Sequence, residues 1–165
     1  MKLFTGGTGL LGTKLKELYP LDNFPTRSEL DFTDESALSK YIKRIGGSID
    51  TIIHVGAYTN TIECEKDING GIEAIDVNIK GTANIASYCM AHNIRLVYIS
   101  TDYVFDGNAP DSKEDDPVKP FNKYAWTKLG GECSVMLCPQ YVIIRGTFGP
   151  DQFTHKMALV DQYVS

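Results

Sequence analysis

Long apolar runs are missing from this 165-residue sequence, and no stretch is long enough to cross a bilayer. A secretory leader is not expected either, because Gly6, Gly7 and Gly9 interrupt any apolar core near the N-terminus. Cys64, Cys89, Cys133 and Cys138 form no CxxC pair and no metal-like spacing, which argues against a zinc ribbon or a dithiol redox motif. They read as small buried thiols in a reducing cytoplasm. Positive charge is in short supply: 16 Lys and Arg stand against 21 Asp and Glu, for a net charge of −5. Such a chain repels a polyphosphate backbone, so nucleic acid is not an expected partner. Repeats, low-complexity tracts and linkers are also lacking, and the length suits one well-cored domain.

Alternation of short apolar strands with helices is what the sequence does contain. Lys2 to Thr5 reads as a strand and Gly6 to Gly12 as a turn into a helix ending near Tyr19. A short second strand is expected near Asn23 to Thr26, and Leu30 and Asp31 read as the start of a third. Thr33 or Asp34 caps a helix whose Ala37, Leu38, Tyr41, Ile42 and Ile45 recur at helical spacing until Gly46 and Gly47. Thr51 to Val55 is a buried strand, and a helix is expected from about Gly71 to His92. Arg95 to Ser100 is another strand, Asp106 to Pro120 a polar surface loop, Phe121 to Leu137 a helix, and Tyr141 to Arg145 a sixth strand. Gln152 to Val164 reads as a final helix. The pattern implies an α/β fold of the Rossmann type, a doubly wound parallel sheet with helices on both faces. Residues 1–146 are assigned to that domain and 147–165 to the start of a second region.

The first constellation is Thr5-Gly6-Gly7-Thr8-Gly9-Leu10-Leu11-Gly12. Gly7, Gly9 and Gly12 fit GxGxxG, while Gly6, Gly9 and Gly12 fit GxxGxxG. Glycines let the backbone turn tightly and approach a pyrophosphate, and the following helix N-terminus offers N–H groups and partial positive charge. The strand before and the helix after supply the context the motif requires. About 20 residues further on, where a ribose-reading group is expected, come Arg27, Glu29 and Asp31. Arg27 suits the 2′-phosphate of NADP, or is a solvated loop arginine; Asp31 suits the adenine side. NADP(H) is favoured, with NAD(H) admitted.

The second constellation is Tyr124-Ala125-Trp126-Thr127-Lys128. Tyr and Lys four apart share one helix face. A phenol with an ordinary pKa near 10 needs help to transfer a proton at neutral pH, and a neighbouring ammonium is expected to lower that pKa. Ser100 and Thr101, at the end of the strand RLVYI, offer a hydroxyl to polarise a substrate carbonyl. Other features have plainer readings. His54 reads as a satisfied core histidine. His92 and His155 suggest no metal site, the Glu114-Asp115-Asp116 run is solvated, and Trp126 is expected to pack.

Taken together, Ser100-Thr101-Asp102-Tyr103-Val104-Phe105-Asp106-Gly107 resembles the signature of dTDP-4-dehydrorhamnose reductases, a family of extended short-chain dehydrogenase/reductases. Ala57-Tyr58-Thr59 with Glu63-Cys64-Glu65, Asp76-Val77-Asn78, and the run from Glu114 through Tyr124 to Lys128 and Gly131-Glu132 agree. The resemblance implies Thr101, Tyr124 and Lys128 as catalytic residues, with Ser100 the less favoured hydroxyl. It implies Gly6, Gly9, Leu10, Leu11, Ala57, Tyr58 and Thr59 along the cofactor, and Asp102, Tyr103 and Val104 facing a sugar. The implied activity is NAD(P)H-dependent reduction of a nucleotide-linked 4-keto-6-deoxy sugar. Ala125 replaces the family's usual glycine after the tyrosine. Members of the family continue into a smaller sugar-gripping domain, of which 147–165 would be the beginning. Two other readings stand beside this one: a non-catalytic nucleotide-binding regulatory subunit like the methionine adenosyltransferase beta subunit, and a nucleotide-sugar epimerase or dehydratase. Tyr103 directly after Asp102 argues against the Asp-Glu pair of a dehydratase. A homodimer is a candidate assembly.

Overall fold

Alternate residues along each strand decide which layer they enter. The computed structural model describes residues 1–107 and 112–147. Strands β1 (Lys2–Thr5), β2 (Thr51–His54), β3 (Arg95–Ile99) and β4 (Tyr141–Ile144) form one parallel sheet in that order. The register pairs Leu3 with Ile52, Ile52 with Leu96 and Leu96 with Tyr141. Leu3, Ile52, Leu96 and Tyr98 point to one face, where they meet Leu38 and Tyr41 of α2 (Ala37–Ile45), Ile85 and Cys89 of α5 (Thr82–His92) and Val135 of α6 (Lys123–Val135). Phe4, Ile53, Val97 and Ile99 point the other way, onto Leu11 and Leu15 of α1 (Leu10–Leu18). Helices therefore cover both faces of a parallel sheet, the Rossmann-type α/β arrangement that the alternating pattern implies.

The expected second and third strands do not form. Only an isolated bridge joins Leu3 to Asn23, through Phe4 N–H to Asn23 O at 2.8 Å and Asn23 N–H to Lys2 O at 3.2 Å. Pro25 has no N–H to continue a ladder. The next residues are taken by a turn in which the Glu29 carboxylate accepts from Thr26 N–H at 2.8 Å and Leu30 N–H donates to Thr26 O at 3.0 Å. The bridge still matters, because it lies on the opposite side of β1 from β2. The crossover direction reverses between β1 and β2, and in open α/β sheets ligands bind beyond the strand ends at that crevice.

The long helix before β3 starts earlier than its periodicity suggests. It runs as α4 (Ile68–Ala74), a π-helical stretch (Ile75–Gly81) and α5, preceded by a short helix α3 (Thr61–Lys66). The side chains of Asn60 and Asp67 cap α3 and α4. Asn93, in the left-handed conformation, stops α5. Among the described residues, no helix is long and apolar enough to cross a membrane. Cys64, Cys89 and Cys138 are buried as expected, but Cys133 faces outward on α6. Trp126 is another correction: it is 58% exposed rather than packed. The expected helix from Gln152 to Val164, and all of 147–165 beyond Thr147, lie outside the described residues.

Buried His54, at the end of β2, ties β1 to the start of α5. Thr5 Oγ1 accepts from Val55 N–H and Gly56 N–H, each at 3.2 Å, so its own proton goes to His54 Nδ1 at 2.7 Å. His54 Nε2–H then donates to Thr82 Oγ1 at 3.0 Å. Burial first, and the charge of Lys128 second, hold His54 well below its ordinary pKa. The unfolded chain takes up this proton as pH falls through 6.5, whereas the folded chain refuses it. Stability is then intact above that pH and is lost below it, by about 1.4 kcal/mol at one unit below. Urea unfolding at pH 7.5 and 5.5 checks this, and the corresponding loss is expected to shrink in His54→Gln.

Candidate active site

The glycine turn is shaped by contacts that leave no room for side chains. Gly6 has φ 71°, and a Cβ there would meet Gly56 Cα and N at 2.7 Å. A Cβ on Gly12 would fall 2.1 Å from Gly6 O and 2.8 Å from Gly7 Cα. Both obstacles are backbone, so nothing can swing aside. Gly12→Ala is expected to cost about 1–3 kcal/mol and to lower the thermal midpoint, which differential scanning calorimetry would measure. Gly9 is the N-cap of α1, and no side chain caps that helix. The helix therefore begins with backbone N–H groups beside an open crevice.

That crevice is a cleft of about 540 Å³ at the C-terminal ends of the strands. Gly6, Gly9, Leu10 and Leu11 line one wall, Arg27 and Asp31 one end, and Ala57, Tyr58 and Thr59 the segment after β2. Ser100, Thr101, Tyr103, Tyr124 and Lys128 line the other end. Residues from five separate stretches of sequence thus converge on one space. Three of the expected site residues fall outside it. Gly12 is packed beneath the turn, as its contacts require. Asp102 lies on the surface, where it accepts from Thr101 Oγ1 at 3.3 Å and Thr147 Oγ1 at 2.5 Å. Val104 is fully buried, so its side chain belongs to the core rather than to a sugar contact.

Tyr124 and Lys128 are set by α6, which Asn122 caps by accepting from Ala125 N–H at 2.7 Å. Lys128 is only 2% exposed; its Nζ donates to Ile99 O at 2.7 Å and lies 4.1 Å from the centre of the Tyr98 ring. Burial brings its pKa down to about 7, against the opposing pull of Glu132. Tyr124 stands edge-on to Tyr103, with centroids 6.4 Å apart. Burial first, then Tyr103 and Asp102, push its phenol up to about 12. The expected lowering of this pKa by Lys128 is therefore absent: desolvation dominates the phenol, and the ammonium is committed to Ile99 O. Thr101 Oγ1 accepts from Tyr103 N–H at 3.2 Å and faces the same end of the cleft.

Ser100 is committed elsewhere. Its hydroxyl donates to Glu132 Oε1 at 2.5 Å, and Glu132 is fully buried. Arg145 grips both oxygens of that carboxylate, with Nη2 to Oε2 at 2.7 Å and Nε to Oε1 at 3.1 Å. Of the two neighbouring hydroxyls, Thr101 is the more weakly held: its contact to exposed Asp102 is 3.3 Å, against 2.5 Å from Ser100 to buried Glu132.

Asn78 has a role that the sequence did not reveal, because the Asp76-Val77-Asn78 run enters there only as a match to the family. It lies in the π-helical stretch, an irregularity that often marks a working region of a helix. Its Oδ1 accepts from Tyr58 N–H at 2.8 Å, and its Nδ2 donates to Tyr58 O at 3.0 Å and Thr127 Oγ1 at 2.9 Å. One buried amide thereby fixes the 57–59 wall of the cleft to the helix carrying Tyr124 and Lys128. Its sequence signal was its place in the Asp76-Val77-Asn78 run, which does not announce contacts with Tyr58 and Thr127.

A Rossmann-type α/β domain with its cleft at the switch point of the sheet is the class these observations define. The chain belongs to the RmlD substrate binding domain family, whose profile matches residues 1–151. It is 37% identical over 139 residues to the dTDP-4-keto-6-deoxy-D-glucose reductase of Streptomyces niveus, covering 81% of this chain and 46% of that protein. It is 31% identical over 145 residues to the methionine adenosyltransferase 2 subunit beta of Bos taurus, covering 81% of this chain and 42% of that one. The crystal structure of dTDP-4-dehydrorhamnose reductase from Bacillus anthracis in complex with NADP superposes with a TM-score of 0.80 at 31% identity, covering 98% of this chain and 59% of that chain. The chain thus spans about half the length of the curated relatives it matches.

Proposed function

We propose that this chain is the cofactor-binding and catalytic part of an NAD(P)H-dependent reductase acting on a nucleotide-linked 4-keto-6-deoxy sugar. The observation that carries the reading is a single cleft joining the glycine turn to Thr101, Tyr124 and Lys128. The cradle suits a dinucleotide: a Cβ at Gly6 or Gly12 would strike backbone, and the adjoining helix start lacks a side-chain cap. Gly6, Gly9, Leu10 and Leu11 would hold the pyrophosphate, Ala57 to Thr59 the middle of the cofactor, and Arg27 and Asp31 its adenosine end. NADP(H) is favoured, with NAD(H) admitted. The relatives' printed activities and the NADP of the Bacillus anthracis structure support the same assignment.

A reduced nicotinamide, when bound, supplies the hydride. Thr101 Oγ1 would hydrogen-bond the sugar carbonyl and polarise it. Tyr124, with its phenol held up to about 12, remains protonated at neutral pH and would give its proton to the forming alkoxide. Lys128 would hold the nicotinamide ribose and, when protonated, ease the loss of that phenolic proton. Tyr103 would face the sugar beside Tyr124.

Similarity to the methionine adenosyltransferase subunit favours the regulatory reading, but the convergence of Thr101, Tyr124 and Lys128 on the cleft favours chemistry. The test is loss of NADPH absorbance when a dTDP-4-keto-6-deoxy sugar is added to the full-length protein. Oxidation dependent on the sugar supports the reductase. NADPH binding with no oxidation for any such sugar would sink it and leave the regulatory reading. A cytoplasmic setting belongs to the same proposal, supported by free Cys64, Cys89, Cys133 and Cys138. Exposed Ile68, Ile72 and Trp126 on α4 and α6 support a homodimer.

A further inference from the structure

Charge is unevenly placed along the cleft. Among its described lining residues the cations are Arg27 and Lys128, one at each end. Lys128 is buried against Ile99 O, so any anion at the other end meets Arg27 alone. Arg27 is not free to serve it. Its Nη1 lies 3.5 Å from Glu73 Oε1 and its Nε 3.9 Å from Asp31 Oδ2. One guanidinium therefore faces two carboxylates. Asp31 sits four residues away on the same turn, whereas Glu73 arrives from α4, across the end of the cleft.

The space around this pair continues past the cleft. A second hollow of about 380 Å³ is shared by Arg27, Thr33, Asn69, Glu73, Asp76 and Val77, among others. Asp76 in that hollow is already held by Lys80 at 2.5 Å. Glu73 has only Arg27 as an ion-pair partner among the described residues. Arg27 and Glu73 are 66% and 49% exposed at their side chains, so their pair is weak and exchanges readily.

We infer that Glu73 sets the preference between the two nicotinamide cofactors by competing with a ribose 2′-phosphate for Arg27. A cofactor with a free 2′-hydroxyl leaves the Arg27–Glu73 pair in place and can use Asp31 as an acceptor. A cofactor with a 2′-phosphate must draw Arg27 from Glu73 and then tolerate that carboxylate beside its own negative charge. Glu73 sits on a helix that Asp67 caps, so it cannot retreat as a loop residue would. The residue thereby holds NADPH affinity down toward that of NADH without excluding either. The inference rests on the dinucleotide reading of the cleft.

Titration calorimetry of NADPH and NADH against the 165-residue chain and its Glu73→Gln and Glu73→Ala variants separates the possibilities. Removing the carboxylate is expected to tighten NADPH by about 3- to 10-fold at low salt, an effect that shrinks as salt rises, with NADH unchanged. Arg27→Gln should do the reverse, weakening NADPH alone. If the wild-type chain binds both cofactors and both Glu73 variants leave the NADPH/NADH ratio where it was, Glu73 has no such role. If the folded wild-type chain binds neither cofactor, the underlying dinucleotide reading fails, and the inference falls with it.

Discussion

Tyr124→Phe is expected to lower turnover of the sugar by about 10²- to 10⁴-fold while leaving NADPH affinity essentially unchanged. The substitution removes one hydroxyl and keeps the ring that packs edge-on to Tyr103. Because burial keeps the phenol protonated, with a pKa pushed up to about 12, the lost group is a proton donor and not a standing negative charge. A phenylalanine therefore leaves no charge unpaired and makes no demand on Lys128, whose Nζ stays on Ile99 O. The cost should appear in kcat, where the alkoxide forms, and not in the cofactor's dissociation constant. Stopped-flow turnover and a parallel NADPH titration on the full-length protein measure the two separately. Equal turnover in wild type and variant would remove Tyr124 from the chemistry.

Glu132→Ala is expected to destabilise the fold by about 3 kcal/mol, the lower end of what breaking a buried ion pair costs. Three groups lose their partner at once: the Ser100 hydroxyl and both forks of Arg145. Arg145 is 19% exposed and keeps Glu114 O at 3.1 Å, which places the effect at the low end rather than the high one. The variant also frees Ser100 beside Thr101 and takes away the charge that keeps Lys128 from falling further below its ordinary pKa. Urea unfolding followed by circular dichroism gives the stability difference. A loss well under 1 kcal/mol would mean that the pair contributes no more than a surface contact.

What the sequence made legible follows from how far apart the cooperating residues lie. The glycine turn could be read directly, because its strand, its glycines and its helix are consecutive. Tyr124 and Lys128 were equally legible, one helical turn apart. The rest depends on contacts between distant segments. Asn78 reaches Tyr58 and Thr127, His54 reaches Thr5 and Thr82, and Arg145 reaches back to Glu132 and Ser100. No spacing rule announces such pairs. The direction of the Tyr124 shift is hidden for a related reason: adjacency on a helix suggests an ammonium beside a phenol, but only the packed structure shows the ammonium turned to Ile99 O and both groups desolvated. The phantom strands near Asn23 and Leu30 illustrate the opposite failure. Apolar residues favoured extension there, and Pro25 with the Glu29-capped turn at Thr26 overruled them.

In the proposed function one cleft, from Gly6 to Lys128, holds a nicotinamide dinucleotide. Amide NMR of the isotope-labelled chain during titration with NADPH tests it most directly. Saturable shifts are expected at Gly6, Gly9 to Gly12, Ala57 to Thr59, Thr101, Tyr124 and Lys128, with the α2 surface unmoved. A folded spectrum that does not respond, or shifts that gather away from these residues, would contradict it.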